Sequence, residues 1–123
     1  MRFLSRLFGG ARDAGPARIN VEDAMHGHLA GAYLLIDVRE SAEHAEGHAD
    51  GAALIPLSRA DFIEAVFDAA GGDANRSIAL MCRTGARSSR AATQLAHAGF
   101  TDLKIVAGGF LAWRKAGLPV ARG

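Results

Sequence analysis

Short apolar runs alternate along the chain with segments in which apolar residues recur at helical spacing. The apolar runs end at polar residues, glycine or proline, a pattern typical of strands that are buried on both faces. The predicted strands are a short one that begins at residue 17 and ends near Val21, and then 33–38, 52–57, 77–82 and 103–108. The predicted helices are one that follows Val21, and then 40–47, 58–72, 88–100 and 108–117.

Several residues predict where these helices begin and end. Asn20 is a candidate N-cap for the first helix. Ser58 is expected to cap the third helix, with Asp61 three residues further on. Gly47 and Gly99 are expected to end the second and fourth helices, because glycine follows the last apolar position in each.

The regular alternation of strand and helix predicts an α/β fold with a parallel sheet covered by helices on both faces. In such sheets the functional crevice lies beyond the carboxyl ends of the strands. Two loops are therefore of interest. One begins with "RE" (39–40) after "LLIDV", and the other is "CRTGAR" (82–87) after "IALM".

Composition narrows the range of functions. The 123 residues make one domain, and a net charge of +1 without a basic stripe gives no indication of nucleic-acid binding. No apolar run approaches the length of a transmembrane segment. The single cysteine excludes an internal disulfide, and none of the five histidines lies at a common metal-ligand spacing. We therefore expect neither a metal nor a cofactor.

Residues 1–17 are predicted to be an N-terminal leader and linker, and residues 18–123 a separate compact domain. In a helix, the four large apolar residues of 1–8 would share one side, so one hypothesis is weak contact with a membrane surface or a partner. We favour a frayed leader. Arg6 interrupts the apolar stretch that a secretory signal needs, so a cytoplasmic location is expected, which also suits a reduced thiol.

Cys82 lies where a strand is predicted to end and a helix to begin. Taken alone, such a cysteine is usually a core residue. Thr84, Gly85, Ala86 and Ser88 are small, so the backbone can curl and turn its N–H groups inward to form an anion-binding nest. The following helix adds the positive end of its dipole. This loop predicts a stabilised thiolate, which is the nucleophilic form of cysteine.

Arginine residues add full positive charges to this loop. Arg83 is the arginine most expected to face an incoming anion. Arg87 is also a candidate for anion binding, although an ion pair with an acid near the helix start is the alternative. Arg90 is expected on the solvated face of the helix.

Four segments resemble the single-domain rhodanese (thiosulfate sulfurtransferase) family, in its order and at its spacing. They are "LIDVRE" (35–40), "EGHADGAALIPL" (46–57), "CRTGAR" (82–87) and "GGFLAW" (108–113). The resemblance covers roughly residues 18–120 and implies a rhodanese-like three-layer fold, a parallel five-stranded sheet with helices on both faces.

The resemblance also implies residue roles. Cys82 would be the nucleophile and would carry sulfur as a persulfide, and residues Arg83 to Arg87 would bind the anionic donor. Asp37 and Arg39 would fix neighbouring loops without touching substrate. His48 is expected to be structural and bonded to backbone, with general base as the less favoured hypothesis. Trp113 and the preceding glycines would be a packing element.

The implied reaction moves sulfur from thiosulfate, or a related small anionic donor, to a thiol, cyanide or a protein acceptor. The alternatives are a non-catalytic binding module of the same family and, less favoured, a cysteine-dependent phosphatase or arsenate reductase. Only four residues separate Cys82 from Arg87, whereas cysteine phosphatases have five between the corresponding residues. Where the family commonly reads "GHIPGA", this chain reads "GHADGA" (47–52). Ala49 and Asp50 depart from the pattern, so the packing of this segment is expected to differ from that of the family.

Overall fold

Strands and helices alternate along residues 16–123, the part of the chain that this computed structural model describes. The strands are β1 (Ala17–Ile19), β2 (Leu34–Asp37), β3 (His48–Ala49), β4 (Ala53–Leu54), β5 (Ile78–Met81), β6 (Leu103–Val106) and β7 (Val120–Ala121). The helices are α1 (Val21–Leu29), α2 (Ser41–Glu46), α3 (Phe62–Ala69), α4 (Ala86–His97) and α5 (Gly109–Lys115).

Five of the strands form one sheet in the order β1-β6-β5-β2-β4. All of its neighbouring strands pair in parallel, which confirms the predicted α/β class and the five-stranded sheet. The central strand β5 lies beside β2, with Asp37 opposite Met81, and the Val38 N–H donates to the Met81 carbonyl over 2.9 Å. The loops after β2 and β5 therefore leave the sheet side by side.

The residues of β5 alternate between two hydrophobic cores, as a strand with a side-chain period of two requires. Ile78 and Leu80 lie in the core that α3 and α4 cover. Ala79 and Met81 lie in the opposite core, with residues of α1 and α5. All four side chains are fully buried. Burying a leucine contributes about 1.5–3 kcal/mol, so this strand is strongly held at the centre of the molecule.

The predicted helix boundaries are confirmed at two places and wrong at two others. The Asn20 side chain accepts the Asp23 N–H over 2.7 Å as the N-cap of α1, and α2 ends at Gly47. Ser58 does not cap α3, which begins at Phe62, because the Ser58 hydroxyl donates to the Glu40 carboxylate instead. Helix α4 begins at Ala86, two residues earlier than predicted. The predicted first strand also ends earlier, at Ile19.

The C-terminal tail contributes a strand that the sequence pattern does not indicate. β7 pairs antiparallel with β3, and the Asp50 N–H donates to the Pro119 carbonyl over 3.0 Å. Ala49 is fully buried there, and the indole N–H of Trp113 donates to the same Pro119 carbonyl. The departure from the family pattern at Ala49 and Asp50 therefore lies in a segment that the tail holds in place.

Of the predicted leader and linker (1–17), residues 1–15 lie outside the described residues, and β1 begins at Ala17. Within residues 16–123, no helix is both long enough and apolar enough to cross a membrane.

Candidate active site

Cys82 directly follows the central strand and is 1% exposed. Residues 83–85 turn the chain, and α4 begins at the next residue. Gly85 has φ +144°, in the left-handed region that favours glycine, which explains why glycine stands there. The sulfur is thus placed at the N-terminus of a 12-residue helix, where free N–H groups and the helix dipole both favour negative charge.

Hydrogen-bond donors converge on the Cys82 sulfur. The Gly85 N–H donates to Sγ over 3.0 Å. Burial raises the pKa of the Cys82 thiol, but the Ser88 hydroxyl and the backbone N–H groups of Ser88, Thr84 and Arg87 lower it by more. The pKa of Cys82 is therefore below its ordinary value, which increases the thiolate fraction at a given pH.

Ser88 has a part in this site that sequence reasoning missed. Its side chain is fully buried, and its hydroxyl oxygen has no hydrogen-bond partner among residues 16–123. That hydroxyl is the largest of the influences that lower the Cys82 pKa, and it is free to donate to the thiolate. From the sequence, Ser88 is identified only as a small residue that lets the loop curl. Its place in the first turn of a helix that begins beside the cysteine is the signal that could have revealed this role.

Two arginines of the loop have different environments. Arg87 forms a two-point ion pair with Glu43, with Nη1–Oε1 and Nη2–Oε2 distances of 2.6 and 3.0 Å. The hydrogen bond from Arg87 is the main reason why the pKa of Glu43 falls to about 2, and Glu43 in turn raises the pKa of Arg87. The Arg83 side chain is exposed and forms no ion pair with another residue of 16–123. Of these two arginines, Arg83 is therefore the one without an ion-pair partner in residues 16–123, and Arg87 forms the ion pair that was the alternative.

The other predicted loop residues, Thr84 and Ala86, are exposed at the rim of the loop. The loop is anchored from its far side by α5. The Phe110 N–H donates to the Cys82 carbonyl over 2.8 Å, and the Leu111 N–H donates to the Arg83 carbonyl over 3.2 Å.

Gly109 makes this anchoring possible. Its φ is +58°, and a Cβ atom at this position would lie 2.5 Å from the Cys82 carbonyl oxygen. The glycine pair that was interpreted as a packing element therefore also fixes the backbone of the cysteine.

Asp37 and Arg39 form a buried ion pair at the end of β2, with 0% and 4% exposure. The Arg39 Nη2 donates to Asp37 Oδ2 and to the Gly47 carbonyl, both over 2.8 Å. The Asp37 carboxylate also accepts the backbone N–H of Arg39. These contacts join the loop after β2 to the end of α2, in agreement with the loop-fixing role that the resemblance implies.

His44 and His48 extend this cluster. The His44 Nδ1–H donates to Asp37 Oδ2 over 3.0 Å, and the His48 Nδ1–H donates to the His44 carbonyl over 2.7 Å. The two rings stack with their centroids 3.6 Å apart. The expected backbone bond of His48 is confirmed. The role of His44 was not predicted from the sequence. Its position four residues before His48 is the one signal that could have suggested it.

Comparison with known proteins gives an independent line of evidence. The family model described as "Rhodanese-like domain" matches residues 21–116. A relative named thiosulfate sulfurtransferase 16, chloroplastic, from Arabidopsis thaliana is 38% identical over 113 residues, which cover 85% of this chain and 92% of the relative. A relative named sulfurtransferase from Allochromatium vinosum is 32% identical over 92 residues, covering 71% of this chain and 77% of the relative.

Solved structures resemble the fold over most of its length. A rhodanese-related protein from Thermoplasma volcanium matches with a TM-score of 0.68 and 27% identity, over 85% of this chain and 97% of that one. A thiosulfate sulfurtransferase from Pseudomonas aeruginosa matches with a TM-score of 0.72 and 29% identity, over 86% of this chain but only 20% of that one.

Proposed function

We propose, since this chain belongs to the rhodanese-like domain family, that it is a sulfurtransferase that carries sulfur as a persulfide on Cys82. The Cys82 thiolate attacks the outer sulfur of thiosulfate or of a related donor. A sulfur–sulfur bond to Cys82 forms, and sulfite leaves with the electron pair of the bond that breaks. A thiophilic acceptor then attacks the outer sulfur of the persulfide, and Cys82 leaves as the thiolate.

One observation carries this proposal. Backbone N–H groups converge on the Cys82 sulfur at the start of α4, beginning with the Gly85 N–H at 3.0 Å. The same donors stabilise the thiolate when it attacks the donor and when it leaves in the second step. A purely structural cysteine has no need of a site that favours its charged form.

The loop also supports binding of an anionic donor. Arg83 has no ion-pair partner among residues 16–123, and the neighbouring residues Thr84 and Ala86 are exposed. The Arg87 backbone N–H favours the Cys82 thiolate, whereas its guanidinium pairs with Glu43. We keep thiosulfate as the expected donor on this basis.

The acceptor comes from outside the chain, because Cys82 is the only cysteine and cannot be resolved internally. A thiol, cyanide or a protein would serve. We keep the cytoplasm as the expected location because the reaction needs a reduced thiol, although the Arabidopsis relative is chloroplastic by its name.

The intact mass of the protein after incubation with thiosulfate tests this function. We expect a gain of about 32 Da, one sulfur atom, that cyanide removes as thiocyanate. The Cys82→Ala variant should show no gain. If thiosulfate, mercaptopyruvate and a cysteine desulfurase all fail to load the protein, the enzyme proposal is wrong, and a binding module becomes the better interpretation.

A further inference from the structure

A cavity of about 240 Å³ opens beside the cysteine loop. Phe110 and Leu111 line it, and the backbone N–H groups of these two residues donate to the Cys82 and Arg83 carbonyls. The Arg83 side chain lines the cavity as well, whereas Cys82 does not. The cavity therefore lies next to the loop that carries the sulfur, but Cys82 itself is not part of its lining.

Two of the charges around this cavity are already compensated. Arg39 pairs with the buried Asp37 carboxylate. Glu43 pairs with Arg87. Neither pair leaves a charge available for a ligand.

The remaining charges make the cavity positive. Arg83, Arg114 and Arg122 line it, and none of them forms an ion pair with a residue of 16–123. Glu46 is the one carboxylate of the lining for which the described residues likewise provide no ion pair. Among residues 16–123, three arginines and one acid of the lining therefore have no ion-pair partner, so the cavity favours an anion.

Contacts with neighbouring residues hold the Arg114 side chain and the backbone at Arg122 in place. The Arg114 guanidinium lies 5.7 Å from the centroid of the buried Phe110 ring, within the range of a cation–π contact. Arg122 directly follows β7, which pairs with β3, and the next N–H, from Gly123, donates to the Ala45 carbonyl over 2.9 Å. The basic side of the cavity is thus built by α5 and by the C-terminal strand.

We infer that this cavity, which we call the arginine cavity, binds the carboxylates of the sulfur acceptor, a low-molecular-mass thiol that carries one or two carboxylates. The inference rests on the proposed function and names its acceptor class. The cavity has more room than a small anion such as thiosulfate fills, and arginine pairs well with carboxylates. A carboxylate bound there would hold an attached thiol beside the loop that carries the persulfide.

The transfer itself needs no further reactant. The acceptor thiol loses its proton to water, and the thiolate attacks the outer sulfur of the Cys82 persulfide. A new sulfur–sulfur bond forms on the acceptor as the bond to Cys82 breaks, and its electron pair returns to the Cys82 thiolate.

The test compares four thiols on persulfide-loaded protein: mercaptosuccinate, 3-mercaptopropionate, 2-mercaptoethanol and cysteamine, which are a dianion, a monoanion, neutral and a cation. The second-order rate of sulfur removal is measured for the natural protein and for the double variant Arg114→Gln/Arg122→Gln. For each thiol, the rate of the variant is divided by the rate of the natural protein. The intrinsic reactivity of the thiol cancels in this ratio. We expect the variant to react roughly fivefold to tenfold more slowly with mercaptosuccinate and less affected with 3-mercaptopropionate. The rate with 2-mercaptoethanol should not change, and cysteamine should react faster.

The matched control is Arg90→Gln/Lys115→Gln. It removes the same charge from two exposed residues that do not line the arginine cavity. It should leave all four ratios near one. Equal slowing of all four thiols in the Arg114→Gln/Arg122→Gln variant, or the same charge-dependent pattern in the control, would overturn the inference.

Succinate, a dicarboxylate without a thiol, separates this inference from the proposed function. Titration of the unloaded protein should show saturable binding that weakens as salt increases and that is lost in Arg114→Gln/Arg122→Gln. Succinate binding without any loading of Cys82 would support the anion site and contradict the sulfur-transfer function. Normal loading without succinate binding, and with thiol ratios near one, would support the sulfur-transfer function and contradict the anion site.

Discussion

The loops after β2 and β5 leave neighbouring strands at the same edge of the sheet, and both carry polar and charged groups. They differ in what these groups contact. After β2, Asp37 and Arg39 satisfy each other, and the carboxylate also binds His44. After β5, donors converge on the Cys82 sulfur, and no salt bridge within residues 16–123 includes Cys82. The charges after β2 neutralise each other and hold the structure together. The groups after β5 remain available to stabilise a thiolate.

The largest expected effect is on the β2 side. Asp37→Ala would leave the Arg39 guanidinium buried without its carboxylate, which should lower the free energy of unfolding by about 3–5 kcal/mol in urea denaturation. Sulfur loading of the molecules that remain folded should persist, because Asp37 makes no hydrogen bond to the cysteine loop.

The chain offers a matched control for Asp37. Arg59 and Asp61 form the same kind of pair, also two residues apart, but on the surface. Asp61→Ala should not move the denaturation midpoint measurably. The double variant Asp37→Ala/Arg39→Met should recover part of the lost stability, since it no longer buries an unpaired charge. Equal effects of Asp37→Ala and Asp61→Ala would contradict the distinction between the two loops.

A smaller effect is expected on the β5 side from Ser88→Ala. Loss of the hydroxyl should raise the pKa of Cys82, because the hydroxyl stabilises the thiolate. The rate of loading from thiosulfate at neutral pH should fall roughly tenfold, the effect of losing one hydrogen bond to a charged group. The same variant should approach the natural rate at high pH, where its thiol is also ionised.

Ser89→Ala is the control, because Ser89 is the neighbouring serine on the same helix and its side chain takes no part in holding the sulfur. The pH profile of Cys82 alkylation is the measurement. A profile for Ser88→Ala that coincides with that of Ser89→Ala would mean that the backbone N–H groups hold the thiolate unaided.

The smallest effect concerns Glu43, whose ion pair with Arg87 links the two loops. Its pKa of about 2 lies below the ordinary 4.5, so the carboxylate stabilises the fold above pH 4.5, and this contribution is lost as the pH falls towards 2. The Glu43 side chain is 31% exposed, and water therefore limits the contribution to about 1 kcal/mol.

Glu43→Gln should thus be less stable than the natural protein at pH 6, and the difference should disappear between pH 4.5 and 2. Glu64→Gln removes an exposed carboxylate of α3 that has no ion pair within the described part of the chain, and it should show no such difference. A stability gap for Glu43→Gln that persists at pH 2 would show that the ion pair is not its cause.

Much of the fold and part of the site could be predicted from the sequence, because both depend on local pattern. Continuous apolar runs predict buried parallel strands, and Gly85 beside Cys82 predicts a loop that turns its N–H groups towards the sulfur. The cap at Asn20 and the backbone bond of His48 likewise involve residues three or four positions apart. Interactions over such distances follow from the residues themselves.

The sequence by itself determined the α/β class, the position of the cysteine at the end of a buried strand and the basic character of its loop. Only the tertiary structure decided that Arg87 pairs with Glu43, that α5 anchors the backbone of Cys82, and that Arg122, after β7, lines the same cavity as Arg114. Each of these contacts joins elements that are distant in the chain. Their pairing depends on how helices pack against a twisted sheet, and a local pattern of apolar and polar residues holds no information about the partner.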